Sequence, residues 1–211
     1  MKAVIVANGL LEQNISLLSG DLLIAADGGT HHCLEQGLIP SIVIGDLDSL
    51  NTDDIEKLKK SGTEIIEYPT RKDFTDLELA LQYALELEID KILILAALGA
   101  RWDQTIANIL LPAALGDKKI RLIDGNQEFF FLNGQGKLDI YGKSGDTLSL
   151  IPLASEACGI TTENLEYPLK EEDLHFGSTR GISNVMLSEH ASITLTKGIL
   201  LCILIHEPNN L

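Results

Sequence analysis

Positive charge is scarce in this chain. Only 16 Lys and Arg stand against 31 Asp and Glu, a formal net charge of −15 over 211 residues. That balance argues against a non-specific nucleic-acid or membrane surface, which needs clustered cations. It leaves room for a nucleotide, because a metal ion screens polyphosphate from carboxylates and a few local Lys or Arg do the rest. Cysteine is also rare: Cys33, Cys158 and Cys202 are widely separated, odd in number and form no C-x-x-C pair. They read as reduced thiols filling apolar space, not as a disulfide framework or a metal site. Long hydrophobic runs are missing as well. The most apolar stretch, "GILLCILI", is far short of the roughly 20 residues that span a bilayer. "MKAVIVANGLLEQ" is broken by Asn8 and Gly9 and has no leader-like cleavage site, so a cytoplasmic location is expected. No G-x-G-x-x-G follows a first strand and no G-x-x-x-x-G-K-S/T loop occurs, which excludes the Rossmann fingerprint and the P-loop.

What is present is an ordinary globular composition, 45% hydrophobic and 22% charged, with length for one large domain or two modest ones. The first half alternates aliphatic runs with helical patterns. "KAVIVAN", "DLLIAADGG", "SIVIGD", "TEIIEYP", "KILILAA" and "KKIRLID" read as strands. Between them, "THHCLEQG", "NTDDIEKLKKSG", "DFTDLELALQYALELE" and "DQTIANILLPAAL" read as helices. Asn51 or Thr52 caps the second of these helices and Asp73 or Thr75 the third, while Pro112 kinks or breaks the fourth. Strands separated by helices imply parallel crossovers and an open α/β sheet. After Asp124 the texture becomes short alternating runs and Gly turns without a long helix, which predicts a smaller all-β sandwich. The boundary falls at 125/126, giving domains 1–125 and 126–211.

Several strand ends carry polar groups. Asp27-Gly28-Gly29 is either a glycine turn or a close approach of backbone to a ligand. In "GDLDS", an extended Asp46–Asp48 would turn both carboxylates one way, with Leu47 toward the core and Ser49 beyond. Such a pair repels itself unless a cation intervenes, and hard oxygen ligands suit Mg²⁺; a solvated turn is the alternative. "TRKDFTD" places Arg71 and Lys72 ahead of a helix start, with Asp73, Thr75 and Asp76 in its first turn. These serve helix capping, phosphate and metal contacts, or both. "LGARWDQ" offers Gly99 for a turn, the Arg101 fork for phosphate, and Asp103 and Gln104 at the next helix start; Trp102 is either core or a stacking surface. In open α/β sheets the C-terminal strand ends hold the ligand, so convergence on one rim favours a site. "GSTRGISN" adds Ser183 and Asn184 as turn residues or contacts to a small polar ligand, and Arg180 as a candidate phosphate contact. His31, His32, His175, His190 and His206 lack metal-ligand spacing and receive no role.

Taken together, "ADGG" at 26–29, "GDLDS" at 45–49, "KDFTD" at 72–76, "GARWDQ" at 99–104 and "GISN" at 181–184 resemble the thiamine pyrophosphokinase (thiamine diphosphokinase) family, over essentially the whole chain. The resemblance implies an α/β nucleotide-binding catalytic domain, a β-sandwich that binds thiamine, and a homodimer with thiamine near the interface. It implies transfer of the pyrophosphoryl group of Mg·ATP to the thiamine hydroxyl, releasing AMP. Carried over, Asp46, Asp48 and Asp73 are the Mg²⁺ ligands, and Asp76, Arg101 and Asp103 join them in the catalytic set. The binding set for ATP and thiamine is Asp27, Gly28, Gly29, Ser49, Arg71, Lys72, Thr75, Arg101, Gln104, Ser183 and Asn184. The chain departs from the family's Gly-Gly-Arg-x-Asp-His at Ala100, which adds a methyl group, and at Gln104, which cannot titrate as histidine does. A phosphotransferase or nucleotide hydrolase acting on another alcohol, and a non-catalytic sensor of nucleotide or thiamine, are the competing readings.

Overall fold

The structure, a computed structural model, describes residues 1–99, 101–116 and 119–208. The chain divides into two compact units: Met1–Asn108 with Leu122–Gly125, and Ile109–Arg121 with Asn126–Leu211. Among the described residues no helix is long and apolar enough to cross a membrane.

The first unit is built on a sheet that is parallel over its first five strands. β1 (Lys2–Val6), β2 (Leu22–Ala26), β3 (Ile42–Gly45), β4 (Glu64–Glu67), β5 (Lys91–Leu95) and β6 (Ile120–Asp124) lie in the order β6-β5-β1-β2-β3-β4. β1 pairs in parallel with both β2 and β5, and β3 with both β2 and β4. β1 to β3 are buried almost throughout because the flanking helices cover the sheet. β4, at the sheet edge, is partly exposed and carries Glu64 and Glu67 at its ends, charges that discourage further pairing. Val4, Val6, Leu23, Ala25, Val43, Leu58 and Leu95 form one apolar cluster, with Leu47, Leu34 and Ile65 packed against it.

The connecting helices are α1 (Gly29–Glu35), α2 (Thr52–Lys60), α3 (Asp76–Glu86) and α4 (Trp102–Leu115). Asn51 caps α2 by accepting from the Asp54 N–H at 2.9 Å, and Thr75 caps α3 by accepting from the Glu78 N–H at 3.2 Å. Of the two capping residues open at each start, the structure selects these, and Asp73 is left outside the helix. Pro112 sits inside α4; the helix runs through it without ending.

In the second unit the described residues after Gly125 form strands and no helix. β7 (Gln127–Asn133), β9 (Thr147–Pro152), β12 (Asn184–Val185) and β14 (Ile199–Ile205) make one antiparallel set in the order β12-β9-β14-β7. β8 (Gly136–Tyr141), β10 (Glu156–Glu163), β11 (Glu172–His175) and β13 (His190–Leu195) make the other, ordered β11-β10-β13-β8. The inward faces of both sets share one core, with Phe130, Leu150, Leu200 and Leu204 from the first and Ile140, Ile160, Leu174 and Ile193 from the second. This is the expected sandwich. All three cysteines are free, Cys33 and Cys202 being buried, and burial pushes both thiols up to about 12.

One polar cluster ties strand ends of this unit. The His206 ring lies 3.1 Å from Asp146 and 3.1 Å from Glu128, and Asp146 also accepts from the N–H groups of Lys143 and Glu207. Burial alone would lower the His206 pKa, but hydrogen bonds to Glu128 and Asp146, with their charges, raise it above its ordinary 6.5. A raised folded-state pKa contributes stability below the unfolded value that is lost as pH climbs through the folded one. The thermal midpoint is therefore expected to fall as pH rises from about 6 to about 8, and His206→Gln to flatten that slope. An equally steep slope in the variant would assign the effect elsewhere.

Candidate functional site

Parallel strands deliver their C-terminal ends to one edge of the sheet, and the chemistry-bearing loops of the first unit start there. β1 runs out through Ala7, Asn8 and Gly9, β2 into Asp27, β3 into Asp46–Ser49, and β5 into Ala97–Gly99. Three of these exits turn through left-handed backbone at residues other than glycine: Asp27 (φ 43°), Leu47 (φ 61°) and Ala96 (φ 53°). The extended course expected for Asp46–Asp48 is thus corrected. Leu47 does pack against the core cluster, but the chain turns at it, and the Asp48 N–H donates to Asp46 Oδ1 at 3.3 Å. A short polar side chain that closes a turn on its own backbone competes with extension.

Tight packing explains the glycines. A Cβ on Gly28 would stand 2.4 Å from the Asn8 side chain, and one on Gly29 would stand 2.0 Å from the Val6 carbonyl oxygen. At Asp27-Gly28-Gly29 the close approach seen is within the chain itself, Gly29 against the Val6 backbone of β1 and Gly28 against the Asn8 side chain. A Cβ on Gly45 would meet Asp27 Cβ at 2.8 Å and Asp76 Oδ1 at 3.2 Å. Glycine there lets two carboxylates crowd the end of β3.

The result is a cluster in which one oxygen from each of Asp27, Asp46 and Asp48 lies within 4.8 Å of the others. Ser49 Oγ donates to Asp27 Oδ1 at 3.0 Å. Burial raises the Asp27 pKa, and the charges of Asp76 and Asp46 add to it against the lowering by the Ser49 and Gly28 hydrogen bonds. Lys72, with a side chain only 12% exposed, sits 2.8 Å from Asp76 and 3.9 Å from Asp46. Partial burial disfavours its charge, but Asp76, Asp46 and Asp27 outweigh that and raise its pKa. Beside the cluster lies a cleft of about 370 Å³ lined by Asn8, Gly9, Asp27, Thr75, Asp76, Arg101, Asp103, Gln104 and Asn108, with Ala7, Ala26, Ala97 and Ala107 as small apolar walls.

The other expected residues are placed as follows. Asp73 and Arg71 are exposed ahead of α3, and Asp73 is not one of the three clustered carboxylates. Arg101 is exposed, and its fork is engaged by Asp103 at 2.6 and 3.2 Å; the pair raises the Arg101 pKa and lowers that of Asp103. Trp102 is 81% exposed, which removes the core reading. Ala100, one of the two departures from the family pattern, lies outside the described residues. In the second unit Asn184 is buried and its carboxamide is occupied: it accepts from the Tyr167 N–H at 3.0 Å and donates to the Tyr167 carbonyl at 2.7 Å. Ser183 is exposed at φ 59°, its N–H on Ser149 Oγ. Arg180 pairs with Glu172. Asn184, Arg180, Tyr167 and Leu150 line a second cavity of about 420 Å³ within this unit.

Sequence reasoning missed Asn8, Gly9, Thr105 and Asn108. Thr105 Oγ1 accepts from the Gly99 N–H at 3.1 Å, and Asn108 donates to the Ala97 carbonyl at 2.7 Å, together fixing the β5 exit. Asn8 and Gly9 carry one signal in the sequence, the abrupt end of the first apolar run.

A sheet of parallel strands with an acidic cleft at its strand ends, joined in one chain to a β-sandwich, defines the class: a two-part α/β and all-β protein. Comparison with known proteins narrows it. The model described as "Thiamin pyrophosphokinase, catalytic domain" matches residues 16–123, and "Thiamin pyrophosphokinase, vitamin B1 binding domain" matches residues 137–200. The thiamine pyrophosphokinase of Bacillus subtilis (strain 168) is 34% identical over 185 residues, covering 86% of each chain. A crystal structure of thiamine pyrophosphokinase from Bacillus subtilis aligns with a TM-score of 0.85 at 32% identity, over 99% of this chain and 100% of that one. A thiamin pyrophosphokinase family protein from Enterococcus faecalis aligns with a TM-score of 0.86 at 25% identity, over 99% and 100%. The chain belongs to the thiamin pyrophosphokinase family.

Proposed function

We propose that the cleft of the first unit holds ATP with Mg²⁺, and that the chain transfers the pyrophosphoryl group of ATP to the hydroxyl of thiamine. The products are thiamine diphosphate and AMP. The observation that carries this reading is the convergence of Asp27, Asp46 and Asp48 within 4.8 Å beside the cleft. Three carboxylates so close repel one another without a cation, and an all-oxygen donor set suits Mg²⁺. The site fits the ion: Asp27, Asp46 and Asp48 would hold it, and Asp73, exposed ahead of α3, would reach it through water. When bound, Mg²⁺ neutralises charge on the phosphate oxygens and polarises phosphorus.

The chain's own residues position the rest. Lys72, anchored between Asp76 and Asp46, presents its ammonium to the phosphates. Arg101 turns its fork from Asp103 to phosphate, while Gly28, Gly29 and Ser49 shape the β2 and β3 exits. Arg71, Thr75 and Gln104 border the nucleotide. In the reaction the thiamine oxygen bonds to the β-phosphorus, the bond from that phosphorus to the AMP oxygen breaks, and the hydroxyl proton leaves to a rim carboxylate or to phosphate. Positioning and electrostatics supply most of such a rate enhancement.

Residues 1–125 form the catalytic part in this reading and residues 126–211 the thiamine-binding part, with Ser183 and Asn184 on the thiamine side. Because the Asn184 amide is bound to Tyr167, it shapes that wall more than it contacts ligand. A cytoplasmic homodimer with thiamine near the interface completes the reading, on the strength of family resemblance. Incubation with thiamine and Mg·ATP is expected to yield AMP and thiamine diphosphate in equal amounts. ADP as the sole nucleotide product would rule out pyrophosphoryl transfer, and saturable thiamine binding without AMP would favour a sensor.

A further inference from the structure

Two adjacent histidines that received no role from the sequence touch the two loops that leave β1 and β3, the strands on either side of β2. α1 begins two residues after Asp27 and follows β2, which lies between β1 and β3 in the sheet. Consecutive helical residues diverge by about 100°, so neighbouring rings on α1 can reach opposite sides. His31 Nε2 lies 2.9 Å from the Ser49 carbonyl at the β3 exit. His32 Nε2 lies 2.9 Å from the Gly9 carbonyl at the β1 exit. A carbonyl oxygen only accepts, so Nε2 carries the proton and donates in both rings. Each contacted loop goes on to the site. Ser49 donates to Asp27 Oδ1, while Gly9 lines the cleft beside Asn8 and donates its N–H to the Ala96 carbonyl at 2.6 Å.

We propose that His31 and His32 are positioning residues that brace the cleft from behind, each through its own loop. His31 holds the β3 exit and so the Ser49–Asp27 pair within the carboxylate cluster. His32 holds the β1 exit and so the Asn8–Gly9 wall of the nucleotide cleft. Neither ring lines the cleft, and neither transfers a proton. The inference rests on the reading of this cleft as the metal and nucleotide site.

Four chains test it: His31→Ala, His31→Gln, His32→Ala and His32→Gln. Mn²⁺ binding to the nucleotide-free protein is measured by calorimetry, KM for ATP and kcat by AMP release, and folding by thermal midpoint. His31→Ala is expected to weaken Mn²⁺ binding about tenfold, the scale for removing a group that orients a ligand. His32→Ala is expected to raise KM for ATP about tenfold by the same scale, with Mn²⁺ binding as in the unsubstituted chain. Glutamine, whose amide also donates to a carbonyl, is expected to restore most of each loss. Folded Gln chains that rescue nothing, or Ala chains that move both readouts alike in step with the thermal midpoint, overturn the proposal. Unchanged binding and KM in both Ala chains overturn it too. If the unsubstituted chain binds no Mn²⁺, the cation site itself fails, and the His31 role with it; normal Mn²⁺ binding there but no change in His31→Ala removes the His31 role alone.

Discussion

The Asp46→Asn chain is expected to form thiamine diphosphate on the order of 10²–10³-fold more slowly than the unsubstituted one, the scale for losing one preorganised electrostatic contact. The substitution is nearly isosteric. The Asn side-chain oxygen can still accept from the Asp48 N–H, as Asp46 Oδ1 does, so the turn at Leu47 survives. What disappears is a charge, in a cluster where Asp27 and Asp48 stand within 4.8 Å. Removing it relieves repulsion, including part of what raises the Asp27 pKa. Stability should therefore hold or rise while turnover falls, the pattern expected where a site keeps like charges together for function. Steady-state rates at saturating ATP and thiamine, paired with a thermal melt, check both halves. An unaltered rate would remove Asp46 from the site, and a collapse of the melt would make its role structural.

The Gly29→Ala chain is expected to lose about 3 kcal/mol of stability, near the upper end for overpacking, and with it most activity. The added methyl would lie 2.0 Å from the Val6 oxygen, 2.7 Å from the Val6 carbonyl carbon and 2.9 Å from the Ala7 oxygen. These are backbone atoms of a central strand and of the residue that follows it, which cannot swing aside as a side-chain tip can. Either β1 or the start of α1 must move, and the two meet just beneath Asn8, Gly9 and Asp27. For a chain of this length the loss corresponds to roughly 6–12 °C in thermal midpoint. A melt within about 1 kcal/mol of the unsubstituted chain would mean that the approach of α1 to β1 is looser than these distances indicate.

Local pattern made the elements readable. Aliphatic runs, capping residues and glycine stops gave strands and helices in the right order, and the change of texture after Asp124 gave the second, all-β part. The grouping of carboxylates was less readable, because it depends on which strand ends are neighbours. β2 lies beside β3, so Asp27 meets Asp46 and Asp48 despite some twenty intervening residues. Asp73 follows the edge strand β4 and stays exposed. The family resemblance implied Asp73 as the third partner; sheet order supplied Asp27. His31 and His32 were invisible for a related reason. Their partners are main-chain carbonyls, and a carbonyl leaves no trace in residue type. The His206 cluster likewise joins Glu128, Asp146 and the end of β14 from separate parts of the chain.

The turns at Asp27, Leu47 and Ala96 have one more consequence. Left-handed backbone at a residue with a Cβ costs about 1–2 kcal/mol, and such strain persists only where the surrounding packing enforces it. Here the packing is the sheet and its apolar cluster, so the cost is met when the chain folds. Under the proposed reading, a polyphosphate entering the cleft finds loops already bent into shape, and its binding energy need not be diverted to ordering them. Affinity in this cleft is in that sense prepared during folding, and the backbone of the rim is expected to stay where it is when the ligand arrives.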